Sequence, residues 1–124
     1  MTNNPCPFCT SARPRVAENE LAFAIADGFP VSPGHTLIIP KKHIATVFEL
    51  PADQYAACFD LVRTVQGALQ EKHKPDGFNI GVNCGEVAGQ TVMHAHIHLI
   101  PRYTGDVPNP RGGIRHVIPG KGSY

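Results

Sequence analysis

The 124-residue sequence contains no tryptophan, and aromatic residues make up only 7% of it. It also has no apolar run long enough to span a bilayer, and no basic start followed by an apolar stretch of the signal-peptide type. Eleven basic and ten acidic residues give a formal net charge of +1, so the broad basic surface that drives non-specific nucleic-acid binding is missing. We therefore expect a cytoplasmic protein that contacts neither membranes nor extended nucleic acids.

What is present is ordinary globular material, with 42% hydrophobic and 17% charged residues. The length suits one domain, and without internal repeats we expect residues 1–124 to form it. Four cysteines are present: Cys6 and Cys9 form a CxxC pair, Cys58 lies in a helical pattern, and Cys84 follows a predicted strand. In a cytosolic chain this arrangement favours metal binding over disulfides.

Hydrophobic periodicity predicts one long helix and several strands. Apolar residues recur every three or four positions from Tyr55 to Leu69, which predicts an amphipathic helix over residues 51–73. Pro51 suits its first turn, and Pro75 with Gly77 ends it. Short apolar runs bounded by turn residues predict four strands, at residues 21–26, 36–39, 78–83 and 95–100.

Proline dominates both ends of the chain. Residues 1–15 carry Pro5, Pro7 and Pro14 around the CxxC pair, which excludes regular helix or central strand and indicates a metal knuckle or a loose terminus. Residues 104–124 are rich in Pro and Gly and are predicted to be an irregular tail, although residues 114–118 are compatible with an edge strand.

Three histidines, His94, His96 and His98, alternate with apolar residues at the last predicted strand. Because side chains on a strand alternate between its faces, we expect the three imidazoles on one face and the apolar residues on the other. Two chemistries suit such a face. One is a zinc site with an open water position, and the other is nucleophilic catalysis by imidazole.

The residues around the triplet favour the second chemistry. The segment NCGEVAGQTVMHAHIHLIPR at residues 83–102 resembles the signature of the histidine triad (HIT) family of nucleotide hydrolases and transferases, and PGHTLIIPKKHI at residues 33–44 extends the match. The resemblance implies an α+β fold, with a mostly antiparallel sheet of about five strands, one long amphipathic helix and a short helix. It also implies a homodimer.

In similar proteins a nucleotide binds with its α-phosphate over the triad. The resemblance therefore implies that His96 attacks phosphorus to form a nucleotidyl-histidine intermediate, and that His98 stabilises charge on the phosphate in the transition state. Imidazole suits the attacking role because it is neutral and nucleophilic near pH 7 and becomes a good leaving group once phosphorylated. To attack with one ring nitrogen, His96 needs its proton held on the other, for instance by a backbone carbonyl.

The resemblance also implies polar contacts to substrate from five further residues. Asn83, Gln90 and Thr91 match positions that contact phosphate oxygens or the leaving group, and Gln90 and Thr91 are assigned to catalysis with His96 and His98. Asp27 matches a residue that binds the ribose hydroxyls, and Arg102 resembles the Pro-Arg pair of the diadenosine-polyphosphate-cleaving branch. The alternatives are a turn for Asp27, a surface role for Arg102, and turn capping for the loop residues Asn83, Gln90 and Thr91.

A structural zinc ion is the one cofactor expected, with no organic cofactor. Cys6 and Cys9 supply two thiolates, and His43 and His94 are the candidates for completing a tetrahedral set, as in similar bacterial HIT proteins. A redox role for the CxxC pair is the alternative, although thioredoxin-like pairs open a helix, which the flanking prolines disfavour. His35, His73 and His116 are assigned to structural or solvated positions.

The expected function is hydrolysis at the α-phosphate of a diadenosine polyphosphate, a nucleoside phosphoramidate or an adenylated small molecule, with adenine or another purine as the base. The AGQTV run and the Pro-Arg pair resemble the diadenosine-polyphosphate branch, whereas PKKH and the CxxC pair resemble the phosphoramidase and zinc-binding branches. Two alternatives stay open. One is a zinc-dependent hydrolase whose metal is held by the triad, and the other is a non-catalytic nucleotide-binding regulator.

Overall fold

A computed structural model describes residues 6–124, so the first five residues of the predicted knuckle lie outside it. Its strands and long helix follow in the order β1 (Arg15–Glu18), β2 (Ala22–Ala26), β3 (Thr36–Pro40), α1 (Ala52–His73), β4 (Gly77–Gly81) and β5 (Ile97–Arg102). Three 3-10 helices occupy Val47–Glu49, Glu86–Ala88 and Gly113–Val117. The expected α+β class is confirmed.

The five strands form one antiparallel sheet in the order β1-β2-β3-β5-β4. The fifth strand is β1, which the sequence pattern does not predict, and not the tail segment at residues 114–118. That segment is a 3-10 helix, and the edge-strand expectation is wrong there. Gly112 and Gly113, with φ of 94° and 45°, turn the chain locally, and Arg115 N–H bonds to the Gly112 carbonyl instead of to a strand.

Helix α1 packs on one face of the sheet. Its buried side chains are Cys58, Leu61, Val62, Val65 and Leu69, and they meet the sheet residues Ala22, Ala24, Ile38, Ile97 and Leu99. Tyr55, at the start of the predicted apolar stripe, is 43% exposed, so the buried stripe is rotated toward Cys58 and Leu61. In the described part of the chain, no helix is long and apolar enough to cross a membrane.

The opposite face of the sheet carries the second apolar cluster and the histidines. Phe23, Ile25, Leu37 and Ile39 pack there under Phe8 of the N-terminal segment. His98 pairs in register with Leu37 and therefore lies beside this cluster. His94 and His96 precede β5, which begins only at Ile97, so the strand prediction of residues 95–100 is displaced by two residues.

Candidate active site

A cavity of about 840 Å³ crosses the histidine-bearing face of the sheet. His98 on β5, Leu37 on β3 and Ile25 on β2 form successive parts of its floor, following the strand order. His96 opens into the same cavity, as do Phe8 and Phe29. The walls are mostly apolar with a few polar groups at the histidines, which is the usual composition of a small-molecule site.

His96 is held in one tautomer by the backbone. Its side chain is 8% exposed, and Nδ1 lies 2.9 Å from the carbonyl oxygen of His94. A carbonyl only accepts, so Nδ1 carries the proton and Nε2 keeps a free lone pair. The carbonyl bond that nucleophilic attack by His96 requires is thus formed, and the Phe8 ring, 5.0 Å away, packs edge-on against the imidazole.

His98 is paired with a histidine that the sequence does not assign to the site. Its Nδ1 lies 3.0 Å from Nε2 of the buried His35, which in turn lies 3.3 Å from Oδ2 of Asp27. Val31 N–H donates to His35 Nδ1 at 3.1 Å, so the proton of neutral His35 is on Nε2 and is donated to His98 or Asp27. When His98 accepts it, the His98 Nε2–H is left to donate into the cavity.

This arrangement keeps both imidazoles neutral. Burial lowers the pKa of His35 below its ordinary value, against the opposing effect of the Asp27 carboxylate. Burial also lowers the pKa of His98, helped by the neighbouring His96 and His35 and opposed by Asp27. Asp27, His35 and His98 are close enough to hold a metal ion, but the Val31 bond keeps the His35 proton on Nε2, which favours a hydrogen-bond network.

The sequence pattern does not identify His35 as a site residue. It follows Gly34 in a turn, and nothing in the local pattern distinguishes it from a structural histidine. Gly34 has a φ of 92°, and a Cβ there would lie 3.0–3.2 Å from His73, Pro101 and Leu69. The glycine therefore lets the turn press against the helix and carries His35 under His98.

The predicted phosphate-binding loop divides into two groups. Asn83 and Thr91 line the cavity. Gln90 does not, because its buried amide holds the loop together. Its oxygen accepts from Gly85 N–H at 2.8 Å, and its nitrogen donates to the carbonyls of Ala45 at 2.6 Å and Val92 at 3.0 Å.

Arg102 lies outside the triad cavity, in a separate hollow of about 450 Å³. Its Nε and Nη2 both donate to the Asp106 carboxylate at 2.8 Å, and its Nη1 donates to Asn79 Oδ1 at 2.7 Å. The Arg102 guanidinium also holds the pKa of Asp106 well below its usual range. The donors proposed for a phosphate chain are thus occupied by protein groups.

The four predicted zinc ligands come together beside the triad. Their donor atoms all lie within 4.8 Å of one another. His94 Nδ1 is 3.3 Å from Cys6 Sγ and 3.5 Å from Cys9 Sγ, and Cys9 Sγ is 3.3 Å from His43 Nδ1. Zinc with bonds of about 2.0–2.3 Å in a tetrahedron separates its ligand atoms by similar distances, so the cluster fits the metal.

The ring orientation of His94 supports that fit. Its buried Nε2–H donates to the Pro40 carbonyl at 2.8 Å, which leaves Nδ1 unprotonated and directed at the thiols. A second hydrogen bond of this kind normally accompanies a metal-binding histidine. In the described residues, no candidate metal cluster groups His94, His96 and His98 together.

Comparison with known proteins agrees with the fold. The family model described as HIT domain matches residues 11–105. An uncharacterized 16.1 kDa HIT-like protein of Mycoplasma pneumoniae is 42% identical, over 83% of this chain and 75% of its own length. An adenylylsulfatase of Arabidopsis thaliana is 39% identical over 80% of this chain and 53% of its own, and a bis(5'-adenosyl)-triphosphatase of Dictyostelium discoideum is 36% identical over 73% and 60%.

Two solved structures are similar over most of the chain. A HIT family protein from Bacillus anthracis superimposes with a TM-score of 0.78 at 39% identity, covering 85% of this chain and 78% of that one. A zinc-bound histidine triad family protein from Mycobacterium smegmatis gives 0.74 at 36% identity, covering 84% and 79%. On this sequence match and this fold, the protein belongs to the HIT family.

Proposed function

We propose that this protein hydrolyses a nucleotide derivative at its α-phosphate through a covalent nucleotidyl-His96 intermediate. The observation that carries the proposal is the 2.9 Å bond from His96 Nδ1 to the His94 carbonyl, which leaves the Nε2 lone pair free at the cavity. An imidazole in this state is a nucleophile at neutral pH and a good leaving group once phosphorylated.

The reaction has two displacements at phosphorus. In the first, the His96 Nε2 lone pair forms a bond to the α-phosphorus, and the bond from phosphorus to the leaving group breaks with its electron pair. A phosphate leaves as the anion, and an amine leaves after taking one proton from solvent. In the second, a water oxygen attacks the same phosphorus, the phosphorus–nitrogen bond breaks, and His96 is restored. The water loses one proton to solvent, and a nucleoside monophosphate leaves the site.

His98 serves the charge that develops on the phosphate oxygens. With its Nδ1 accepting from His35, its Nε2–H is available as a donor, and a donor aimed at developing charge contributes more in the transition state than in the ground state. Asn83 and Thr91 add neutral polar groups at the cavity wall. Asp27 lies next to His98 and is proposed to accept hydrogen bonds from ribose hydroxyls.

The substrate class proposed is a purine nucleotide whose α-phosphate carries a leaving group: a dinucleoside polyphosphate, a phosphoramidate or an adenylated small molecule. Two relatives are named for adenylyl and adenosyl substrates, which supports this class. Zinc, held by Cys6, Cys9, His43 and His94, would supply a structural cross-link beside the triad. The hydrolytic steps are assigned to His96, His98 and water.

A zinc hydrolase with all three triad histidines as ligands is less compatible with the geometry. His94 directs Nδ1 to the thiols, and Nδ1 of His96 and of His98 are both engaged by other groups. A single metal ion would require three converging nitrogen atoms.

The test is a rapid-quench labelling experiment. Wild-type protein is mixed with adenosine or guanosine 5'-phosphoramidate carrying ³²P at the α-phosphate and quenched within one turnover. We expect acid-labile, alkali-stable label on the wild-type chain and on a His116→Ala control, and none on His96→Ala. Turnover by wild type without any protein-bound label would rule out the covalent route.

A further inference from the structure

One cation lines the triad cavity beside the end of β2 and the turn that follows it. Arg13 lies just before β1, and its Nη1 donates to the carbonyl of Ala26 at 2.8 Å. The guanidinium packs on Gly28, and a Cβ at that position would overlap Nη2 and Cζ of the arginine. Among the cavity-lining residues of the described chain, Arg13 is the only arginine or lysine.

The sheet sets the distance between Arg13 and the triad. The Arg13 guanidinium contacts the end of β2, which the strand order places two strands from β5, a separation of about 10 Å at the usual strand spacing. Asp27 lies between the two ends, with Oδ2 at 3.9 Å from His98 Nδ1 and its backbone joined to Gly28. A nucleotide with phosphorus at His96 and ribose at Asp27 therefore extends its base toward Gly28, Phe29 and Arg13.

This end of the cavity has the two features that bind a base. Phe29 lines it with a ring that is 88% exposed, so a flat aromatic surface is available for stacking. Arg13 carries five N–H donors, of which the Ala26 carbonyl takes one. Its free donors suit a base edge that offers acceptors and no donor.

We infer that Arg13 selects 6-oxopurine nucleotides, with its guanidinium donating to O6 and N7 of guanine or hypoxanthine. Those two atoms are both acceptors, and arginine binds them in a bidentate manner. Adenine presents N7 with an N6 amino group, which is a donor and faces another donor if placed against the guanidinium. The inference rests on the proposed function, because it assumes a nucleotide with its phosphate at His96.

Reaction products test the inference without any turnover. The affinities of GMP, IMP and AMP are measured by isothermal titration calorimetry on the wild type. We expect GMP and IMP to bind between about five- and one-hundredfold more tightly than AMP. IMP is the informative ligand, since it has the O6 and N7 of guanine without the 2-amino group.

Three variants separate base recognition from general charge and from folding. Arg13→Met removes the donors and is expected to reduce the preference for GMP and IMP to less than twofold, with AMP affinity unchanged within twofold. Gly28→Ala keeps the charge but displaces the guanidinium, and the same loss is expected. Arg15→Met is the matched control, because Arg15 stacks on Phe23 and pairs with Glu18 outside the cavity, and it keeps the preference.

The outcomes that overturn the inference are distinct. AMP binding as tightly as GMP and IMP in the wild type, an equal loss of all three nucleotides in Arg13→Met, or IMP behaving like AMP would each refute it. Those results leave the His96 proposal intact, since that proposal concerns phosphorus and not the base. Binding of none of the three nucleotides would refute the base preference, whereas the labelling experiment alone decides the His96 proposal. If Arg13→Met does not fold, Gly28→Ala decides.

Discussion

Two backbone carbonyls give neighbouring histidines different chemistry. His94 donates from Nε2 to Pro40 and presents Nδ1 to the thiols, whereas His96 donates from Nδ1 to His94 and presents Nε2 to the cavity. Both residues are histidines, and they lie two positions apart in the chain. Which nitrogen each uses is decided by the carbonyl within reach, and so by backbone geometry that the sequence pattern does not contain.

His35 is predicted to act as a positioning residue for His98, because it holds the His98 ring through a hydrogen bond. In His35→Leu the Nε2–H donor that holds His98 Nδ1 is lost, so kcat should fall about tenfold or more, as for partners of metal-binding histidines, with a smaller change in KM. Because His35 is one cause of the lowered pKa of His98, that pKa should rise. Kinetics and NMR titration of the His98 ring measure the two effects.

His116→Leu is the control for that experiment, since His116 is exposed and its side chain bonds to the tail carbonyl of Arg111. It should change neither kcat nor the His98 titration. A His35→Leu variant with lower stability but an unchanged His98 pKa would assign His35 to packing and remove it from the site.

Helices and strands with a periodic apolar pattern are predicted from the sequence, whereas those fixed by tertiary contacts are missed. The long helix and four of the five strands follow apolar patterns that the fold retains. Strand β1 is not predicted because Arg15–Glu18 is largely exposed and shows no apolar alternation. The opposite error, a predicted strand that does not form, occurs in the tail. Its apolar residues Ile114 and Ile118 suggest a strand, but two glycines there set a 3-10 turn.

The same contrast explains which site residues were predictable. Family motifs predict four of the residues that line the cavity, namely His96, His98, Asn83 and Thr91. They do not reveal that Arg102 is paired with Asp106, because that pairing depends on the turn after β5.

The end of helix α1 offers a test at the element scale. Lys74 has φ of 51° in the left-handed region, the one non-glycine residue with positive φ in the described chain. Glycine adopts this conformation without the Cβ clash, so Lys74→Gly should raise the free energy of unfolding by about 1 kcal/mol. Lys72→Gly, inside the last helical turn, should lower it by about 1 kcal/mol. Urea denaturation compares the pair, and equal signs would contradict the role of the left-handed cap.

At the scale of the molecule, the buried neutral histidines make stability depend on pH. The pKa values of His35 and His98 are lowered in the folded state. As pH falls through the ordinary value near 6.5, the unfolded chain binds protons that the folded chain does not, so unfolding becomes more favourable. We expect the free energy of unfolding to decrease from pH 7 to pH 5, and less steeply in His35→Gln. Urea denaturation at the two pH values measures this, and a slope that His35→Gln leaves unaltered would refute the assignment.

The cysteine loop connects the N-terminal segment to the rest of the molecule. Phe8, between Cys6 and Cys9, packs on the sheet cluster and lies edge-on to both His94 and His96. A metal ion at the cysteines would therefore hold Phe8 against the open face of the sheet and would also fix the ring of His94. Metal occupancy of the cysteine–histidine cluster and order in the triad cavity should change together.

Removal of one thiolate tests this coupling. Purified wild type and a Cys84→Ser control, whose cysteine lies outside the cluster, should contain about one zinc per chain, and Cys6→Ser should contain little. The same variant should melt at a lower temperature and bind GMP more weakly, because Phe8 and the Arg13 segment are no longer anchored beside the cavity. Elemental analysis, thermal unfolding and calorimetry measure the three quantities. Stoichiometric zinc retained in Cys6→Ser would place the metal elsewhere, and zinc loss with unchanged GMP affinity would show that the knuckle and the cavity are independent.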